Sequence, residues 1–110
     1  MNAILTEKHH QIRQKVRDFA EEKIKPLIGE YETREEFPVK IVKEIGENGL
    51  FGMYLPQQFG GQGTDYLSYI IAVEEISRID SSMGATLAAH NSLGIGPLYE
   101  FGNDAQKQKY

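Results

Sequence analysis

Apolar positions in the first quarter of the chain recur at three- and four-residue steps. Ile12, Val16, Phe19, Ala20, Ile24 and Leu27 fall on one stripe, which predicts a long amphipathic helix. Thr6 stands where an N-cap belongs, and Glu7 meets the positive end of the helix dipole. Pro26 has no amide hydrogen, so a kink or break is expected near Ile24-Lys25. Residues 30–36 are mostly charged and read as solvated. Phe37-Pro38 marks a second helix entry, since proline suits the first turn. Val39, Val42 and Ile45 then give a short helix ending at Asn48-Gly49, where glycine accepts a left-handed cap.

From Leu50 to Gly63 the helical period vanishes, and Phe59-Gly60-Gly61-Gln62-Gly63 reads as a loop. A third helix is expected from about Asp65 to Ile79. Leu67, Ile70, Ile71, Val73 and Ile76 make it apolar on most sides, which predicts the central, buried position. Asp80-Ser81-Ser82 can cap a fourth helix running to about Leu93, rich in small residues, with Gly94-Ile95-Gly96-Pro97 breaking it. A short turn over 98–101 follows, and Asn103-Asp104 begins a last helix that Tyr110 leaves unfinished. The expected fold is all-α, an up-and-down helical bundle of four to five helices with one long Gly-rich loop. Residues 1–110 read as one domain and as part of a longer chain.

Composition narrows the function classes. The 110 residues hold 12 basic and 16 acidic side chains, a net charge of −4, with no basic block, so the footprint of a nucleic-acid binder is missing. There is no cysteine, which excludes disulfides, thiolate metal sites and thiol nucleophiles within these residues. The N-terminus turns polar too early for a signal peptide, and no apolar run approaches membrane-spanning length. A cytoplasmic protein without membrane association is expected.

Few residues suggest chemistry. Gly60-Gly61-Gln62-Gly63 lacks the spacing of a dinucleotide fingerprint and the Gly-Lys-Ser/Thr ending of a Walker loop, so it reads as a structural turn. Glu7 and His10 have Glu-x-x-His spacing, but a di-iron bundle needs a second such pair, and none exists. No metal site is expected, and His9 and His10 read as exposed on the first helix turn. Of Glu74 and Glu75, about 100° apart on a helix, one should face solvent and the other pair with an arginine such as Arg78 or with a partner outside these residues. Thr86, Ala89, His90 and Leu93 share one helical face that mixes small and polar side chains. Such a face suits a helix bordering a ligand cavity; it also suits close packing with His90 hydrogen-bonded in the core. No residue set has a local signature of a catalytic nucleophile.

At this point four stretches acquire a family likeness. They are Phe19-Ala20-Glu21-Glu22-Lys23-Ile24-Lys25-Pro26; Gly49-Leu50-Phe51-Gly52-Met53-Tyr54-Leu55-Pro56 with Phe59-Gly60-Gly61-Gln62-Gly63; Tyr69-Ile70-Ile71-Ala72-Val73-Glu74-Glu75-Ile76-Ser77; and Asn91-Ser92-Leu93-Gly94 with 101–110. In that order and spacing, the chain resembles the N-terminal helical domain of the acyl-CoA dehydrogenases, of the short-chain or butyryl-like kind.

The resemblance implies a flavoenzyme of fatty acid metabolism, usually a homotetramer, with a β-domain and a C-terminal helical domain absent from these residues. It implies FAD between those absent domains, and a glutamate base in the C-terminal domain of most members. That base removes the α-proton of an acyl-CoA substrate while the flavin takes the β-hydride. The product is a trans-2-enoyl-CoA, and the electrons pass to an electron-transferring flavoprotein. No catalytic or cofactor-binding residue is then expected in this chain, which alone would be inactive. Its implied share is one wall of the acyl pocket, formed by Thr86, Ala89, His90 and Leu93, with Ala85 as a further candidate, and with His90 bulky enough to favour a short or branched acyl group. Acyl-CoA oxidases and related flavin monooxygenases share this domain, and a free-standing helical interaction module is the alternative of a different class.

Overall fold

The computed structural model describes residues 5–110, which contain helices and connecting loops but no strand among them. The elements are α1 (Glu7–Phe19), a π-helical turn (Ala20–Ile24), α2 (Lys25–Arg34), α3 (Val39–Glu47), a 3-10 turn (Gln57–Phe59), α4 (Tyr66–Ile79), α5 (Ser81–Ala88), a second π turn (Ala89–Ile95), α6 (Gly96–Phe101) and α7 (Asp104–Lys109). The π turns join their neighbours without interruption, so the described residues form five helical rods, within the four to five expected. Together they make a plate with principal extents of 42 × 37 × 18 Å.

Four of the five rods begin on a side-chain cap; α3 begins after Pro38 without one. Thr6 accepts from the His9 amide, Asp65 from the Ser68 amide, Asp80 from the Met83 amide and Asn103 from the Gln106 amide. Gly49 ends α3 in the left-handed region at φ 76°. Helix α4 lies centrally, packed along both α1 and α5. The core gathers Val16, Phe19 and Ile24 from the first rod, Ile41 and Ile45 from α3, Leu50 and Met53 from the loop, Tyr69 and Ile76 from α4, and Met83 and Leu87 from α5. Burying side chains of this size contributes about 1.5–3 kcal/mol each.

Two expectations about helix ends are corrected. The chain does not break at Gly94-Ile95-Gly96-Pro97; it stays helical through Phe101, including residues 98–101. Of the kink or break expected near Ile24-Lys25, the break is absent: the first rod passes Pro26 through a π turn, continues to Arg34 and closes on Glu35 at φ 55°. The reason is the same at both prolines. In an α-helix a proline cannot bond the carbonyl four residues back and its ring collides with it. Here one extra residue is let into the turn before each proline. Lys25 donates to the Ala20 carbonyl and Gly96 to the Asn91 carbonyl, each five residues back, and the proline comes next. The helix widens instead of breaking.

Candidate functional site

The helix singled out by its small residues runs close against α4. A Cβ placed on Gly84 would fall on the Ser77 hydroxyl and within 2.9 Å of the Ser77 Cβ, so only glycine permits this approach. With α5 seated there, Met83, Leu87 and Asn91 point inward at four-residue steps, and Ala85, Ala89 and Leu93 are left uncovered, Leu93 to 77%. Thr86 is half-buried, its hydroxyl donating to the Ser82 carbonyl at 2.9 Å.

His90 takes another direction. Its ring stacks on Phe51 with centroids 4.1 Å apart and planes inclined by 24°. It lines a cavity of about 180 Å³ together with Phe51, Gly52, Leu55, Phe59, Gly60, Ile95, Leu98, Tyr99, Lys107 and Tyr110. Lys107 sits over the Phe59 and Tyr99 rings at 5.9 and 5.2 Å. Of the four residues expected on one face, Ala89 and Leu93 open outward and Thr86 stands beside them half-covered. His90 alone reaches the cavity, and it is not hydrogen-bonded in the core.

The residue that sequence reasoning passed over is Asn91. It is fully buried, and its side chain grips the loop that leaves α3. Oδ1 accepts from the Gly52 amide at 2.7 Å, and Nδ2 donates to the Leu50 carbonyl at 3.0 Å. Gly52 stands at φ 77°, which turns its amide toward this acceptor without Cβ strain. The Asn91 carbonyl also accepts from the Tyr54 hydroxyl at 2.6 Å. Burial, then the neighbouring Tyr66 and Tyr69, push the Tyr54 phenol above its ordinary value, so it remains a donor. A signal existed: Asn91 is the one polar member of the Met83-Leu87-Asn91 stripe.

The Gly-rich loop is a structural turn. Gly60 donates to the Gln57 carbonyl, Gly61 to Pro56, Gln62 to Gly52 and Gly63 to Leu55. All four amides are used within the loop, so it does not fit the diphosphate of a flavin or nucleotide. Among the described residues no group of three or more potential ligands is placed to hold a metal ion. No helix among them is long and apolar enough to cross a membrane.

Two charge clusters tie α1 to α4. Glu75 is buried, and its carboxylate accepts from Arg17 Nε at 2.8 Å and Nη2 at 3.2 Å, and from Arg13 Nη1 at 3.0 Å. Arg78 Nε lies 3.6 Å away, so the expected partner is present but more distant than two that were not foreseen. Burial pushes the Glu75 carboxyl up; the bonds from Arg17 and Arg13 outweigh it and hold it below the ordinary value. Glu74 faces solvent and pairs with Arg13 at 2.9 Å.

His9 corrects a further expectation, because it is buried while His10 is exposed. Its Nδ1 accepts from the Thr6 amide at 3.0 Å, and Nε2 meets Asp65 Oδ2 at 2.7 Å. With Nδ1 acting as acceptor, Nε2 carries the hydrogen and donates to Asp65. Hydrogen bonds from Ser68, with a smaller contribution from His9, overcome burial and bring the Asp65 carboxyl down to about 2.

Comparison with known proteins gives these features a context. Residues 6–110 match the family model described as acyl-CoA dehydrogenase, N-terminal domain. The short-chain specific acyl-CoA dehydrogenase of Clostridium acetobutylicum is 44% identical over 110 residues, covering 100% of this chain and 29% of its own length. A chain in the structure "Electron transferring flavoprotein of Acidaminococcus fermentans: Towards a mechanism of flavin-based electron bifurcation" superimposes with a TM-score of 0.93 at 41% identity, over 100% of this chain and 29% of its own. The butyryl-CoA dehydrogenase of Megasphaera elsdenii gives 0.87 at 34% identity, over 96% and 28%. The chain thus spans less than a third of the length of these relatives.

Proposed function

The chain belongs to the family of acyl-CoA dehydrogenase N-terminal domains, and on that premise we propose that it is the first domain of a flavin-dependent acyl-CoA dehydrogenase, where it forms one wall of the acyl pocket. In this reading a β-domain and a C-terminal helical domain complete the enzyme, which supports α,β-dehydrogenation of an acyl-CoA to a trans-2-enoyl-CoA. The share of each relative that this chain covers, 28–29%, supports the division into domains. The names of the short-chain and butyryl-CoA relatives favour a short acyl substrate. The electron-transferring flavoprotein named for the Acidaminococcus structure favours such a protein as electron acceptor. The cytoplasm and a homotetramer are part of the same proposal.

The observation that carries the wall assignment is the uncovered, small-residue surface of α5 and the turn after it. Ala85 and Ala89 leave room for a tail, and Leu93 supplies an apolar contact. Thr86 stands half-buried beside this surface, and His90, turned from it onto Phe51, lines the neighbouring cavity. Such a surface holds an acyl tail out of water, which strengthens the electrostatics around the reacting thioester. FAD, when bound, supplies the hydride acceptor. With its loop amides already engaged, this chain contributes shape rather than flavin contacts.

The test is the acyl-length profile of the complete enzyme. Ala89→Leu is expected to lower kcat/KM for octanoyl-CoA relative to butyryl-CoA, and Leu93→Ala and His90→Ala to raise it, each by about tenfold. Profiles unchanged in all three variants would refute the wall.

A further inference from the structure

We propose that Asn91 is a positioning residue for the acyl wall, acting by holding the second π turn in its widened register; this rests on the wall reading above. Three wall residues, Ala89, His90 and Leu93, lie within that turn, all within two positions of Asn91. The widened register exists because Gly96 donates to the Asn91 carbonyl rather than to the carbonyl four residues back. The Tyr54 hydroxyl donates to that same carbonyl at 2.6 Å, and the Asn91 side chain is tied to Gly52 and Leu50 at 2.7 and 3.0 Å. The bonds to Gly52, Leu50 and Tyr54 all reach into the 50–54 loop, whose own Phe51 stacks on His90. Loop and turn therefore fix one another.

The consequence for the wall follows from helix geometry. Returning the turn to the α register expels one residue, which rotates the side chains beyond it by about 100° relative to those before. Leu98 and Tyr99, which lie beyond the turn and line the cavity with His90, would swing away from it, and the wall would lose their apolar contact. Pro97 disfavours the α register, and the clamp on Asn91 fixes the carbonyl on which the widened turn closes. A buried amide with both halves satisfied is also costly to move, since each abandoned partner loses its only protein bond.

The experiment uses the complete, flavin-loaded enzyme with two variants. Tyr54→Phe removes one hydroxyl and keeps the ring among Tyr66 and Tyr69. Asn91→Asp keeps the acceptor for Gly52 and sets a carboxylate oxygen against the Leu50 carbonyl. We expect each to change the ratio of kcat/KM for octanoyl-CoA to that for butyryl-CoA by about tenfold, at unchanged flavin content. Equal falls in both constants mean a structural role only and overturn the proposal. A constant ratio in both variants, while Leu93→Ala shifts it, overturns the proposal and leaves the wall standing. A constant ratio in Leu93→Ala, Ala89→Leu and both clamp variants overturns the two together. Should Asn91→Asp fail to fold, Tyr54→Phe decides alone.

Discussion

Replacing Glu75 by glutamine is the most direct probe of how α1 is held to α4. The side chain keeps its shape but loses its charge, and an NH₂ group is set against one of the guanidinium groups. Three close bonds lose their charge assistance or are lost, two from Arg17 and one from Arg13. A hydrogen bond to a charged group contributes about 1.5–3 kcal/mol, and removing one partner of a fully buried pair costs about 3–5 kcal/mol. The arginine side chains are 25% and 45% exposed and can regain water, which lowers the expected cost. The worked figure is about 2–3 kcal/mol, or about 10–15 °C in the midpoint of thermal unfolding for a chain of this size.

The assay is urea unfolding of the chain followed by far-ultraviolet circular dichroism, since it has no tryptophan to report by fluorescence. Glu74→Gln is the matched control, because that side chain is 64% exposed and should contribute about 0.5 kcal/mol or less. If Glu75→Gln costs no more than Glu74→Gln, the buried carboxylate is not what joins the helices and the reasoning fails.

Other outcomes follow from the same contacts. Asp65 has a folded-state pKa of about 2, below its unfolded value, so its contribution is present above about pH 4 and is lost as the pH falls toward 2. Because the side chain is 58% exposed, that contribution is about 1 kcal/mol, and Asp65→Asn should flatten the acid unfolding curve between pH 4 and 2. Gly84→Ala should destabilise by about 1–3 kcal/mol, since the added methyl meets Ser77 and α5 must move away from α4; a wild-type denaturation midpoint would contradict this. In the loop, Gly61→Ala should cost more than Gly60→Ala, because the new Cβ strikes the Leu55 backbone in the first case and open space in the second. Gly60 sits at φ 85°, so its own substitution still costs about 1–2 kcal/mol, and chemical denaturation of the pair gives the order.

The rods and their caps were legible in the sequence because hydrophobic periodicity and capping are local properties. Ile12, Val16 and Phe19 need only each other to define a stripe, and Thr6, Asp65, Asp80 and Asn103 cap residues three positions away. Pro26 and Pro97 were legible as perturbations but not as π turns. Whether a helix breaks or widens depends on partners supplied from elsewhere, and for Asn91 these are Leu50, Gly52 and Tyr54. His9 was misread for a similar reason: its partner Asp65 lies 56 positions away in sequence. At the candidate site, the pattern identified an unusual helix and its small residues. It did not separate His90 from Leu93, because an ideal helical wheel carries no extra residue.

The 18 Å thickness of the plate corresponds to two helices stacked at an interaxial separation of about 8–10 Å. No side chain in such a body is far from either broad surface, and the inner face of one helix is the underside of the opposite exterior. Tyr69 spans one such step, its hydroxyl meeting Ser92 and donating to the Ala88 carbonyl. A displacement of α4 therefore reaches the segment where Ala89 and Leu93 open outward through one side chain, Tyr69.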